Sequence, residues 1–139
     1  MKPKRLRQAS FLVPLGRLAV FYVPAQKMDD PQYGCDGLTP TQMFDQFFLQ
    51  KFGGLTHEES HIRGQWTSQD GQKVFTDLHE RYEVSFSGKK KADEFLNFLS
   101  EMCARLGEES IYLTMGSRSW LVKPRRLNQE QSGSQAGKQ

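Results

Sequence analysis

The sequence predicts an α+β fold of the ferredoxin-like type, a β-α-β-β-α-β sandwich in which an antiparallel sheet carries two helices on one face. Two segments with apolar residues at helical spacing alternate with segments rich in β-forming residues. The stretch 57–86 is interrupted by the turn sequence Gln69-Asp70-Gly71, which is typical of a β-hairpin. The 139 residues also suit a single domain.

The first predicted elements are a strand over 17–23 and a helix that begins after Thr39. The strand sequence RLAVFYV is β-branched and aromatic, and a proline follows it. Thr39 is a preferred helix cap, Pro40 suits the first helical turn, and Gly53 is a stop signal. The apolar residues of this helix recur at helical spacing, which predicts a core-facing stripe: Met43, Phe44, Phe47, Phe48 and Phe52.

The connection over 25–38 is rich in Asp, Gly and Pro. Connections of this length are uncommon unless they are functional or disordered. We expect a mobile loop, with Tyr33, Cys35 and Asp36 as candidate ligand contacts.

The second helix is expected over about 89–106 and ends at Gly107. Its apolar face contains Cys103, which we expect to be an inert core thiol. A strand over 108–115 follows, and 119–122 is expected to fold back as a short extra strand.

Composition and charge predict one domain over 11–124, preceded by a basic flexible arm over 1–10 and followed by a disordered tail over 125–139. The net charge of +3 is mild, and two cysteines do not make a disulfide framework. No segment approaches the roughly 20 apolar residues of a membrane span. We therefore expect a cytoplasmic protein without a membrane partner.

The pairing register of the hairpin decides which side chains share a face. A two-residue Asp-Gly turn would pair Trp66 with Phe75 and Ile62 with His79, which leaves both faces mixed. A three-residue loop with a left-handed Gly71 separates apolar from charged residues better, and this register is the one predicted. It forms a ladder of pairs on the open face: His57 with Glu83, Glu59 with Arg81, His61 with His79, and Arg63 with Asp77. It leaves Glu80 on the apolar face without an explanation.

Three marks give the chain a resemblance to a known group. They are Gly64-x-Trp66 before the turn, Gly71 in it, and Glu109-Ser110-Ile111 after a helix that ends in Leu-Gly. Across about 18–122 the chain resembles small uncharacterised bacterial α+β proteins of the domain-of-unknown-function type. The resemblance implies a ferredoxin-like fold and no particular chemistry.

The leading functional prediction is a non-enzymatic binding or assembly module that uses the open sheet face and the edge strand. Its partner would be a second copy of the chain, as in a homodimer, or another protein. The predicted binding residues lie on the hairpin: Glu59, His61, Arg63, Phe75, Asp77, His79 and Arg81.

The first alternative is a small zinc-dependent hydrolase, because His57-Glu58-x-x-His61 matches the His-Glu-x-x-His pattern. On a helix the two histidines would share a zinc ion, and Glu58 would be the catalytic residue that activates the metal-bound water. His79 is a candidate third ligand. On a strand it would stand directly opposite His61, close enough for the two to chelate one metal ion with Glu59 or His57 near by. The hydrolase requires a helix at 57–61 and the binding module requires a strand there; we predict the strand.

The second alternative is a nucleic-acid-associated protein that acts through its basic termini. Ferredoxin-like sheets bind single-stranded RNA through aromatic residues on the open face. The candidates on that face are Phe75 and, beside it, Tyr22 or Tyr112. The carboxylates there would repel phosphates: Glu59, Asp77 and Glu83.

Overall fold

The computed structural model describes residues 10–125 of the chain. The predicted basic arm and the predicted tail therefore lie, apart from Ser10 and Arg125, outside the described residues.

The described residues form an α+β fold with a five-stranded antiparallel sheet and two α-helices, as predicted at that level. The strand order is β2-β3-β1-β4-β5, and the extra strand expected near 119–122 is β5 at one edge. The elements are β1 (Arg17–Pro24), α1 (Pro40–Phe52), β2 (Thr56–Thr67), β3 (Val74–Phe86), α2 (Lys89–Arg105), β4 (Ile111–Met115) and β5 (Arg118–Val122).

The first helix begins and ends where the sequence predicts. The Thr39 side chain accepts a hydrogen bond from the Gln42 backbone N–H at 3.1 Å, and the Gln42 side chain accepts one from the Thr39 N–H at 2.9 Å. This reciprocal pair satisfies two backbone donors at the start of α1. Gly53 ends α1 with φ +82, a conformation that glycine adopts without steric cost.

Both helices pack on the same face of the sheet and form the core between them. Phe44 of α1 lies 5.0 Å from Tyr82 of β3, and Phe95 of α2 lies 5.8 Å from Phe21 of β1, measured between ring centroids. Aromatic side chains bury large apolar areas, so they dominate the hydrophobic stabilisation of this core. The opposite face has no helix over it among residues 10–125, and we call it the open face.

The sequence predicts a mobile loop over 25–38, but the structure packs this segment against the core and the start of α1. It contains two short 3-10 helices, Ala25–Lys27 and Pro31–Tyr33. Met28 between them is fully buried, and its carbonyl accepts a hydrogen bond from the Thr41 N–H at 3.0 Å. The polar composition of the segment does not indicate that Met28 is buried in the core.

The predicted hairpin register is wrong. The loop holds four residues, 69–72. The Ser68 N–H donates to the Lys73 carbonyl, and the Lys73 N–H donates to the Ser68 hydroxyl. Within the loop, the Asp70 carboxylate accepts a hydrogen bond from the Gln72 N–H at 2.9 Å. Gly71 is left-handed at φ +72, as predicted. The strand pairs near the turn follow the alternative register that leaves the faces mixed.

A bulge in β2 separates two registers along the hairpin. Glu58 pairs with Arg81 and Ile62 pairs with His79, so that three residues of β2, 59–61, stand opposite Glu80 alone. The predicted charge ladder, which needs one continuous register, therefore does not form. Bulges bend a strand and increase its twist.

The distal half of the hairpin projects beyond the sheet. Strand β1 ends at Pro24 opposite His79, so residues 74–78 of β3 have no partner in β1. We call residues 62–79 the hairpin arm. The loop 107–110 between α2 and β4 leaves the sheet at the same end, because β4 is antiparallel to β1. A space bounded by two walls results at this end of the open face.

Within residues 10–125, no helix combines the length and the apolar character that crossing a membrane requires.

Candidate functional site

The space between the hairpin arm and the loop 107–110 is a concave cleft of about 1030 Å³. This volume slightly exceeds the range of about 300–1,000 Å³ that is usual for small-molecule sites. The cleft has three parts: an aromatic wall on the arm, a floor on β1 and β4, and a polar wall on the loop 107–110 and the residue after β5.

The aromatic wall consists of Trp66, Phe75 and His79. Trp66 and Phe75 are cross-strand neighbours with ring centroids 5.7 Å apart and an interplanar angle of 29°. His79 lies 6.2 Å from Trp66. A β-carbon on Gly64 would lie 3.1 Å from the His79 ring, so the glycine makes room for the imidazole. Trp66 is 41% exposed and Phe75 43%, which leaves aromatic surface for a ligand.

The floor consists chiefly of Tyr22 of β1 and Tyr112 of β4, whose ring centroids are 6.0 Å apart. The Tyr112 hydroxyl donates to the Ser119 hydroxyl at 3.3 Å, which orients the phenol across β4 and β5. Pro24 completes the floor at the end of β1. The floor is therefore aromatic as well, with its polar groups at the margin.

The polar wall carries charges of both signs: Glu108, Glu109 and Lys123. The ammonium group of Lys27 lies 2.7 Å from the Glu108 carboxylate and donates to the Leu106 carbonyl, also at 2.7 Å. This pair, with side chains 21% and 17% exposed, fastens the loop 107–110 to the first 3-10 helix.

The structure brings some of the predicted binding residues to the cleft and separates others from it. Three of the seven line it, namely Arg63, Phe75 and His79. The remaining four do not: Glu59 and His61 lie in the bulge, Asp77 accepts a hydrogen bond from Gln26, and Arg81 forms an ion pair with Glu83 at 2.9 Å. Tyr33, Cys35 and Asp36 do not line the cleft either.

The three predicted metal ligands do not gather at one point. Residues 56–67 are strand, as predicted, so His57 and His61 are not one helical turn apart and the zinc site of the hydrolase prediction, with Glu58 beside it, does not form. His57 pairs with Tyr82 on the helix-covered face, whereas His79 pairs with Pro24 on the open face. Within residues 10–125 no three His, Cys, Asp or Glu side chains are grouped closely enough to hold a metal ion.

His57 instead belongs to a buried cluster with Glu80 and Tyr82. Its Nε2 lies 2.8 Å from the Glu80 carboxylate, and its ring stacks on Tyr82 at 4.1 Å with an interplanar angle of 11°. Burial raises the pKa of the Tyr82 phenol well above its usual range, so the phenol stays neutral. The cluster accounts for Glu80, the one charged residue that the sequence places on the apolar face.

Sequence reasoning missed the contribution of Trp66, Glu109 and Lys123 to the cleft. The predicted register placed Trp66 under the helices, and nothing in the local sequence indicates that the two polar residues lie across a cleft from the arm. The signal that could have found Trp66 is the Asp-Gly register, which places it beside Phe75 on the open face.

Comparison with protein-family models and with curated proteins finds no match. The resemblance to uncharacterised bacterial proteins therefore stays a prediction. Two solved structures are similar to the chain, each with 14% sequence identity and 86% of this chain covered. One is a phage SAM lyase in complex with S-methyl-5′-thioadenosine, with a TM-score of 0.56 and 96% of that chain covered. The other is a phage SAM lyase in its apo state, with a TM-score of 0.53 and 100% covered. At this identity the likeness shows a shared fold.

Proposed function

We propose that the cleft binds S-adenosylmethionine (SAM) or a closely related adenine nucleoside, and that this is how the open face acts as a binding surface. The observation that carries the proposal is the cleft itself, which sets an aromatic wall and an aromatic floor against a wall with charges of both signs. The fold shared with a protein in complex with S-methyl-5′-thioadenosine supports the choice of nucleoside.

The chemistry of SAM matches the three parts of the cleft. Adenine is a flat aromatic ring and suits the exposed faces of Trp66 and Phe75. The sulfonium carries a positive charge, which aromatic faces such as those of Tyr22 and Tyr112 attract. An apolar pocket with a few polar groups at one side is the usual form of a small-molecule site.

The candidate activity is lysis of SAM with release of S-methyl-5′-thioadenosine. In this reaction the bond between sulfur and the methionine chain breaks, and its electron pair stays on sulfur and neutralises the sulfonium. The reaction then follows one of two courses. In the first, the carbon adjacent to the one that was bonded to sulfur loses a proton and a double bond forms. In the second, the carboxylate of the methionine chain attacks the carbon that was bonded to sulfur and closes a lactone. The second course needs no base from the protein, because the carboxylate of the substrate itself is the nucleophile.

Isothermal titration calorimetry with SAM and with S-methyl-5′-thioadenosine tests the binding. Loss of aromatic stacking in Trp66→Leu should weaken both ligands by about 2 kcal/mol, or about thirtyfold. Trp120→Phe is the matched control, because Trp120 is the other tryptophan of the chain and does not line the cleft. Equal affinity of Trp66→Leu and wild type, or no binding of either ligand, would contradict the proposal.

Chromatography of the products tests the activity separately. Incubation with SAM should yield S-methyl-5′-thioadenosine in proportion to enzyme concentration. Binding without product would leave the cleft as a binding site and remove the lyase.

A second candidate function is assembly with another copy of the chain through β5. Strand β5 lies at an edge of the sheet, and Trp120 and Leu121 on it are 48% and 62% exposed. The opposite edge, β2, is interrupted by the bulge, which protects an edge from pairing. Light scattering over a concentration range should show a dimer that Trp120→Lys dissociates; a monomer at every concentration would rule assembly out.

We also infer that β1 to β4 and the two helices form a ferredoxin-like unit to which β5 is added. The order β2-β3-β1-β4 within the sheet and the position of both helices on one face support it. A variant that ends before Arg118 would test it: cooperative unfolding of the shortened chain is expected, and loss of folding would contradict the inference.

A further inference from the structure

The polar wall of the cleft is held in place from two sides. Lys27 binds the Glu108 carboxylate, and the Cys103 thiol donates to the Glu108 carbonyl at 3.3 Å. On the other side, the Ser100 hydroxyl donates to the Lys123 carbonyl at 2.6 Å. The backbone that carries this wall is therefore fastened to the first 3-10 helix and to α2.

Two side chains of opposite charge remain free on this wall. Glu108 is compensated by Lys27, whereas Glu109 and Lys123 have no ion-pair partner among residues 10–125. Both line the cleft. Ile111 and Val122 form the last pair of β4 and β5, and Ser110 and Lys123 adjoin this pair in the chain.

We propose that Glu109 and Lys123 form a subsite for the amino-acid end of the ligand. The Glu109 carboxylate binds the α-ammonium group, and the Lys123 ammonium binds the α-carboxylate, with the Ser110 hydroxyl beside it. The inference rests on the proposed function, since it takes the ligand to be an adenine nucleoside on the aromatic wall.

The layout of the sheet favours this orientation of the ligand. The aromatic wall is on β2 and β3, and Lys123 follows β5, three strands from β3 in the order β3-β1-β4-β5. Adjacent strands lie about 4.8 Å apart, so Lys123 is about 14 Å from the aromatic wall and Glu109, which precedes β4, about 10 Å. A nucleoside that carries an amino-acid chain reaches across such a distance, and a nucleoside with only a methylthio group does not.

Calorimetry with two neutral-sulfur ligands isolates the subsite. S-adenosylhomocysteine has the amino-acid end and S-methyl-5′-thioadenosine lacks it, so a difference in affinity between them excludes the sulfonium as its cause. We expect S-adenosylhomocysteine to bind wild type at least about tenfold more tightly, since hydrogen bonds to charged groups have this magnitude. Glu109→Gln and Lys123→Met should each remove most of that difference and leave the affinity for S-methyl-5′-thioadenosine unchanged.

The control is Arg118→Gln, which removes a charge from the opposite end of β5 and should change neither affinity. Equal affinity of wild type for the two ligands, or equal weakening of both by Glu109→Gln, would overturn the subsite while the nucleoside site stands. If neither ligand binds wild type, the nucleoside site and the subsite fall together.

Discussion

The buried contact between His57 and Glu80 should contribute strongly to stability, and His57→Phe tests it. The side chains of the two residues are 11% and 9% exposed, and His57 Nε2 lies 2.8 Å from the Glu80 carboxylate. Phenylalanine keeps the ring that stacks on Tyr82 at 4.1 Å but removes the nitrogen. The substitution therefore separates the hydrogen bond from the stacking.

The magnitude follows from what is left behind. In His57→Phe the Glu80 carboxylate loses its hydrogen-bond partner in a site where its side chain is 9% exposed. Removal of one partner of a buried pair costs about 3–5 kcal/mol. Because part of each side chain still touches water, we expect a decrease of about 3 kcal/mol in the free energy of unfolding and of about 10 °C in Tm.

Urea denaturation of four proteins measures the effect: wild type, His57→Phe, Glu80→Leu and the double variant. Replacing a buried pair by apolar groups is often nearly neutral, so the double variant should be within about 1 kcal/mol of wild type. A coupling energy below about 0.5 kcal/mol would refute the reasoning, because the two residues would then act independently.

Three further predictions concern the core, a helix cap and a thiol. Phe48→Ala, at a fully buried position, should lower the free energy of unfolding by about 4 kcal/mol in urea denaturation, whereas Leu49→Ala, at a position 56% exposed, should change it by less than about 0.5 kcal/mol. Thr39→Ala should cost about 1 kcal/mol in the same assay through loss of the capping box, and an unchanged midpoint would contradict that role. Burial raises the pKa of the Cys103 thiol to about 11, so at about pH 8 Cys103 should react with iodoacetamide only after unfolding in urea, whereas Cys35 reacts in the native protein. Labelling of Cys103 in the native protein should become faster as pH rises. Mass spectrometry of the labelled peptides measures both thiols, and rapid native labelling of Cys103 at about pH 8 would contradict its burial.

Local signals were sufficient for the helices and for the order of the elements. A capping residue followed by proline, and a glycine after the last apolar residue, mark the start and end of α1 within its own sequence. The apolar spacing of α1 and α2 identified the residues that pack on the sheet. The strand at 57–61 was also predictable, because a helix there would have no apolar face to bury.

The hairpin register was not predictable from the same kind of signal. Separation of apolar and charged residues onto different faces favoured a three-residue loop, yet hydrogen bonds among Ser68, Asp70 and Lys73 close a four-residue one. Choosing the register by separating apolar from charged residues assumes that the helices cover one face of the hairpin along its whole length. The arm projects beyond the sheet, so its residues do not obey that assumption.

The sequence by itself therefore determined the two α-helices and the strands, where α1 and α2 end, and which faces of the two helices enter the core, since each of these depends on contacts close in the chain or on a simple period. The tertiary structure decided between two registers that the sequence allowed, and so placed Trp66 on the open face. It alone brought His57 to Glu80 on the helix-covered face and set Glu109 and Lys123 across the cleft from the hairpin arm. These arrangements depend on a bulge that gives β2 two more residues than β3 and on strand ends that are distant in sequence. No pattern within a single segment encodes either of them.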